Sequence, residues 1–165
     1  DVLMLARGFG HEASQPVALA DLLADLVRAT PGAAGRVQIE TTDITFEAPA
    51  GALRRILANL LENALRYGGG DQPVTLRAGV ADGVCRIGVL DRGPGIPPAE
   101  LEAVFRPFYR LEASRSVSTG GSGLGLAIVR QLAAAQGWQV TLQARTGGGL
   151  AAWLELPLQQ AGQTG

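Results

Sequence analysis

The amino-acid sequence predicts an α+β domain, a two-layer sandwich in which a mixed sheet of about five strands is covered by three helices. Three observations lead there. Three segments carry apolar residues at helical spacing. Six short runs, several of them alternating, read as strands. The chain has 165 residues, 47% of them apolar, enough for one domain with a buried core and no covalent staples.

Each element follows from its residues. Residues 2–7 form a short apolar run stopped by Gly8 and Gly10, and residues 9–16 read as a linker ending at Pro16. Residues 18–28 place Leu19, Leu22, Leu23, Leu26 and Val27 on one helical face, and the stretch from Pro31 to Gly35 breaks that helix. Val37 to Ile39 and Ile44 to Phe46 read as two strands joined by a tight polar turn. A long helix from about Gly51 to Tyr67 carries Leu53, Ile56, Leu57, Leu60, Leu61, Ala64 and Leu65, and ends at Gly68, Gly69 and Gly70. Val74 to Ala78 and Val84 to Leu90 read as strands around the turn Ala81-Asp82-Gly83. Asp91 to Pro98 is a glycine and proline loop, Pro98 to Val104 a short helix, and residues 105–123 a long polar loop. Loops of that length in compact domains are usually functional. Leu124 to Gln136 is the third main helix. Trp138 to Ala144 and Leu150 to Leu156 form a closing hairpin around three glycines.

Composition narrows the function. The net charge is −1, and fourteen arginines are scattered among fifteen acidic residues without a basic stripe, so nucleic acid is not an expected partner. Cys85 is the single cysteine, excluding an intrachain disulfide, and it reads as a small core hydrophobe. No apolar run has the length to cross a bilayer, and no signal-peptide pattern opens the chain. The opening at Asp1 inside an apolar run reads as a fragment of a longer protein.

Four features carry chemistry. On the long helix Asn59, Glu62, Asn63 and Arg66 lie at i, i+3, i+4 and i+7, one polar stripe opposite the leucines. Asparagine is a poor helix former, an amide oxygen is a good ligand for a hard cation, and an arginine one turn away can reach a phosphate. A solvated face would explain the stripe equally. Asp91-Arg92-Gly93-Pro94-Gly95-Ile96 delivers a carboxylate to the end of an apolar strand, where it can accept from an amine beside backbone that a flat ligand can approach. An ordinary turn reads the same way. Gly120-Gly121-Ser122-Gly123-Leu124-Gly125-Leu126 runs into a helix and offers free N–H groups to an anion, or serves as a hinge. A dinucleotide-binding turn is excluded by the polar residues before the glycines and by Leu126, and a P-loop by the absence of lysine. Phe105-Arg106-Pro107-Phe108-Tyr109-Arg110 places aromatics at the start of the long loop, where they can pack as anchors.

In order and spacing these features resemble the boxes of sensor histidine kinases. Asn59-Leu-Leu-Glu-Asn63-Ala-Leu-Arg66-Tyr67 resembles the N box, Asp91 to Ile96 the first glycine box, Phe105 to Arg110 the F box, and Gly121 to Leu126 the second glycine box. The resemblance spans residues 50–157 and implies the Bergerat ATP-binding fold with ATP and Mg²⁺. It implies that Asn63 ligates Mg²⁺, with Asn59 in support, and that Arg66 and Tyr67 flank the nucleotide. Asp91 would accept from the adenine amino group, with Gly93, Gly95 and Ile96 lining the base pocket. Tyr109 would join the nucleotide contacts, and Arg110 would neutralise the β and γ phosphates. Gly121, Ser122, Gly123, Leu124, Gly125 and Leu126 would let a lid close on the triphosphate. Asn59, Asn63 and Arg110 are the catalytic candidates. Hydrolysing relatives of this superfamily carry glutamate one turn before the metal asparagine; here that residue is Asn59, a poor general base, which favours transfer to a histidine.

The resemblance also implies a phosphoacceptor domain. His11-Glu12-Ala13-Ser14-Gln15-Pro16 fits the short phosphoacceptor pattern, but Gly8 and Gly10 break any helix there and no partner helix remains for a hairpin. Residues 1–16 are therefore expected to be the end of a dimerisation helix and a linker, residues 17–158 the ATP-binding domain and residues 159–165 a tail. The histidine-bearing dimerisation domain and, indirectly, a response regulator are the expected protein partners. The fragment is expected to be monomeric, the intact kinase a homodimer, and the domain the cytoplasmic part of an inner-membrane sensor. The alternative is a degenerate module that binds nucleotide or docks a partner without transferring phosphate.

Overall fold

The computed structural model describes residues 12–68, 72–106 and 125–158. Its elements in chain order are β1 (Gln15–Ala18), α1 (Leu19–Ala29), β2 (Val37–Glu40), β3 (Thr45–Ala48), α2 (Ala50–Tyr67), β4 (Val74–Ala81), β5 (Val84–Leu90), α3 (Gly125–Gln136), β6 (Gln139–Ala144) and β7 (Leu150–Pro157). Five strands form a mixed sheet in the order β2-β4-β5-β7-β6, with β2 parallel to β4 and the other pairs antiparallel. β1 and β3 make a separate antiparallel pair. The expected α+β sandwich of five strands and three helices is the observed fold.

The sheet buries one face. Leu76, Val89, Ala152 and Leu142 lie in register across four strands, and Ala78, Ile87, Leu154 and Val140 form the next row on that face. The helices cover these rows. Leu53, Ile56, Leu57, Leu60 and Leu61 of α2 are fully or almost fully buried, as are Leu19, Leu23 and Leu26 of α1 and Val129 and Leu132 of α3. Each such leucine contributes about 1.5–3 kcal/mol relative to exposure. Cys85 is fully buried in this core, and burial pushes its thiol up to about 11, so it packs as an inert hydrophobe.

The opposite face of the sheet is covered by its own side chains. The Trp153 ring lies across Gly88, its cross-strand partner; a Cβ there would come within 2.5 Å of the ring. The Arg86 guanidinium stacks on Trp153 at 4.3 Å from the ring centroid and pairs with Glu155 at 2.8 Å.

Three local expectations change. The expected hairpin of the second and third runs does not form: β2 joins the main sheet at its edge, and β3 pairs with β1. Gln15 and Pro16, expected as linker, belong to β1. The expected short helix at 98–104 is two 3₁₀ turns, Pro98–Glu100 and Ala103–Phe105. Seven residues opening on a proline pair give too few hydrogen bonds to sustain an α-helix. The expectations for residues 1–11 and 159–165 lie outside the described residues.

α2 is fastened at both ends by distant residues. It starts after Pro49, whose side chain accepts nothing, and has no acidic residue in its first turn. Glu12 supplies the cap from outside, accepting from Gly51 N–H at 2.5 Å and Ala52 N–H at 2.8 Å. At the far end Arg36 donates to the Leu65 carbonyl at 3.3 Å. Replacing Glu12 with alanine should lower stability by about 1 kcal/mol, read as a reduced urea midpoint with unchanged slope.

Candidate functional site

The chemistry collects along the second half of α2. Apolar residues on one face of this helix are held against the sheet, so Asn59, Glu62, Asn63 and Arg66 turn away from the core. Asn59 and Asn63 are half-buried, Tyr67 is half-buried, and Glu62 and Arg66 are exposed. Gly125, the first residue of α3, faces Asn63: a Cβ at Gly125 would stand 3.7 Å from both amide atoms. The helix start expected to receive an anion thus sits beside the amide expected to receive a cation. Leu126 is half-buried against the core.

One helical turn further on, roughly 6 Å along the axis, the end of α2 meets the end of β5. Asp91 is only 6% exposed and is the one buried carboxylate among the described residues. Its Oδ1 accepts from Gly93 N–H at 2.9 Å and from Leu150 N–H at 3.2 Å. Burial raises its pKa above the ordinary carboxylate value, against the backbone hydrogen bonds from Gly93 and Leu150 and the nearby Arg145 cation, which lower it.

Glycine is required where three backbones converge on this carboxylate. A Cβ on Gly93 would come within 2.6 Å of the Gly68 carbonyl carbon and 2.7 Å of the Tyr67 oxygen. A Cβ on Gly68 would come within 2.8 Å of the Asp91 Cβ. Gly149, with φ +105°, would drive a Cβ into the Asp91 carbonyl oxygen. Gly95 takes φ +77° and passes over Gly149, and Ile96 packs half-buried on the core. Of the sequence candidates for the base end, Asp91, Gly93 and Gly95 come together here and Ile96 packs on the core nearby. Sequence reasoning took Gly68 for a helix stop and Gly149 for hairpin chemistry, and it passed over Arg92, Arg145 and Leu150. The only signal was a run of three glycines where a hairpin needs one or two.

The residues that open the expected long loop are anchored. Phe105 is buried in the main core, with the Arg130 guanidinium of α3 stacked 4.1 Å from its ring centroid and paired with Glu102 at 2.6 Å. That fits the expectation that an aromatic here packs. Tyr109, Arg110, Gly121, Ser122, Gly123 and Leu124, the remaining site candidates, lie outside the described residues.

Comparison with known proteins agrees with this fold. Residues 48–160 match the family described as histidine kinase-, DNA gyrase B- and HSP90-like ATPase. The signal transduction histidine-protein kinase BaeS of Escherichia coli (strain K12) is 36% identical over 71% of this chain, which spans 25% of that relative. The chain therefore covers about a quarter of the relative's length. Among solved structures, full-length ShkA in complex with AMPPNP is similar with a TM-score of 0.78 and 33% identity, covering 97% of this chain and 35% of that one. The mycobacterial sensor histidine kinase MprB is similar with a TM-score of 0.72 and 28% identity, over 88% of this chain and 97% of that one.

Two outcomes follow from the buried carboxylate. A raised folded-state pKa means that folding favours the protonated form, so Asp91 adds no penalty below the usual carboxylate pKa of about 3.9 and opposes folding as pH rises through its raised value. Asp91→Asn should therefore raise Tm at pH 7.5, with the gain disappearing below pH 4 in melts followed by circular dichroism. Gly93→Ala should cost about 1–3 kcal/mol in urea unfolding at either pH, because backbone must move.

Proposed function

The chain belongs to the histidine kinase-, DNA gyrase B- and HSP90-like ATPase family, and from that premise we propose that it is the ATP-binding catalytic domain of a two-component sensor histidine kinase. It transfers the γ-phosphoryl group of ATP to a histidine on a separate dimerisation domain. The observation that carries this reading is Asp91: a buried carboxylate, oriented by two backbone N–H groups, at a strand end beside half-buried Tyr67. A carboxylate in that setting accepts from an exocyclic amine and turns away a carbonyl, so it takes adenine in preference to guanine. Gly93, Gly95 and Ile96 line the base, with Tyr67 and Arg66 at the helix end.

The phosphates then run along α2 toward Asn63 and Asn59. Gly125 carries no side chain to cover the Asn63 amide, and an amide oxygen suits a hard cation, so the residues present fit magnesium. Asn63 would hold the ion, which when bound neutralises phosphate charge. Asn59 supports the phosphates from one turn back. The glycines at 121, 123 and 125, with Ser122, Leu124 and Leu126, close over the triphosphate; Tyr109 and Arg110 join from the loop, Arg110 offsetting charge on the leaving and transferred phosphates. Asn59 cannot draw a proton from water as a carboxylate would, which favours transfer over hydrolysis.

The whole protein, in this reading, is a homodimeric sensor in the inner membrane with this domain on the cytoplasmic side, and a response regulator receives the phosphoryl group from the histidine. No helix among the described residues is long and apolar enough to cross a membrane. The partner domain and the dimer contact belong to other parts of such a protein.

Titration calorimetry with a non-hydrolysable ATP analogue and Mg²⁺ tests the site. Saturable binding is expected, with affinity falling at least about tenfold in Asp91→Asn and losing its Mg²⁺ dependence in Asn63→Ala. Phosphotransfer from ATP to a separately expressed histidine-bearing dimerisation domain tests the activity. Binding without any transfer would sink the kinase reading and leave a nucleotide-binding module.

A further inference from the structure

The β6–β7 turn is built oddly for a hairpin. Gly147, Gly148 and Gly149 all take positive φ, at +86°, +104° and +105°. Three such residues in succession leave a permissive turn, held from within by only two backbone bonds, Arg145 N–H to the Gly149 carbonyl and Gly148 N–H to the Arg145 carbonyl, each at 3.1 Å. Yet this turn leads straight into Leu150, whose N–H is one of the two donors on the Asp91 carboxylate. If the turn drifts, the carboxylate loses its orientation.

Two arginines brace it from opposite sides. Arg92, the residue after Asp91, donates through Nη1 to the Thr146 carbonyl at 2.7 Å and the Gly148 carbonyl at 2.9 Å. Arg145, the residue before the turn, donates through Nη1 to the Asp91 main-chain carbonyl at 2.9 Å. Each arginine leaves its own strand end and grips the other. The Asp91 N–H to Leu150 carbonyl bond, at 2.9 Å, closes the same ring of contacts. The arrangement sets like charges near one another. Arg145 is half-buried, and burial together with Arg92 and Arg77 lowers its pKa.

We propose that Arg145 and Arg92 are positioning residues for base selection: they clamp the β6–β7 turn onto the Asp91 strand end and so fix the carboxylate that reads the base. This rests on the reading of Asp91 as the acceptor for the adenine amine. Neither arginine donates to the carboxylate oxygens, so their removal loosens its aim; Arg145 also acts on Asp91 through its charge, which Arg145→Lys keeps, whereas Arg92 takes no part in that shift.

The test compares ADP with IDP, which lacks the exocyclic amine, by calorimetry with Mg²⁺. The readout is the ratio of the two dissociation constants. The unmutated protein should prefer ADP by about tenfold or more, and Asp91→Asn should lose that preference. A protein with no preference to begin with overturns the reading of Asp91 itself. Given a preference, Arg145→Gln should reduce it about fivefold to tenfold while IDP affinity stays within about twofold, and Arg145→Lys, which keeps a donor, should restore most of it. Arg92→Gln alters an exposed side chain and should reduce the preference about threefold; it decides the matter if Arg145→Gln gives no cooperative melt. Discrimination unchanged in these glutamine variants, or equal loss for both nucleotides, overturns the clamp.

Discussion

A carboxylate taken out of water needs donors, and the end of this domain is organised around supplying them. Asp91 is held at 6% exposure by contacts that are almost all backbone. Backbone donors require close approach, and close approach forbids Cβ atoms. The glycines at 68, 93 and 149 follow from that one requirement. Burial raises the carboxyl pKa, and the two N–H groups with Arg145 restrain the rise. The result is a group that folding alone would not choose, held at a strand end where the α2 helix, the β5 strand and the β6–β7 turn converge. A buried charge of this kind persists where the surrounding structure supplies its hydrogen bonds.

The second organising fact is that α2 serves two purposes on two faces. Its leucines fix it to the sheet, so its polar stripe cannot roll away from the space beside α3. Asn63 meets the start of α3 at Gly125, and Tyr67 and Gly68 meet the Asp91 loop, with about one turn of helix between them. A rigid helix sets the distance between the metal end and the base end of the proposed site. Its own placement depends on Glu12 at one end and Arg36 at the other, both from outside the helix. Precision at the site is thus inherited from packing well away from it.

Much of this was legible in sequence because it rests on local pattern. The helices announce themselves by apolar spacing, and β5 runs as expected from Val84 to Leu90 because its apolar residues are broken by a single charge, Arg86, and bounded by turns. Strand pairing was not legible. β2 and β3 look like a hairpin because they are near neighbours with a polar turn between them, but β2 pairs with β4 and β3 with β1, choices made by the sheet edge and by the α1 and α2 packing. β1 was missed because four residues containing a proline carry almost no strand signal. At the site, residues whose side chains carry chemistry could be found. Gly93 and Gly95 could be found because they sit inside a motif, but Gly68, which reads as a helix stop, and Leu150, which lends only an N–H, could not.

The two ends of the proposed nucleotide site differ in how they are made. The base end consists of strand termini and turns locked by hydrogen bonds among described residues, with Arg92 and Arg145 crossing between β5 and the β6–β7 hairpin. The selectivity proposed for it rests on order in the folded sheet that exists before ligand arrives. The phosphate end is made differently: among the described residues Asn59, Asn63 and the start of α3 stand on regular elements, and the other contacts proposed for it follow Phe105, a buried aromatic held under Arg130. Rigid recognition of a small flat base and loop-borne handling of a large charged group answer different physical demands. A hydrogen-bonded acceptor loses discrimination if it wanders, because a carboxylate that can turn accommodates the wrong partner. A triphosphate must enter and leave, and charge stabilisation has to be assembled around it after it arrives. The placement of Asp91, the one buried carboxylate among the described residues, at the end of β5 is the arrangement the first of those demands predicts.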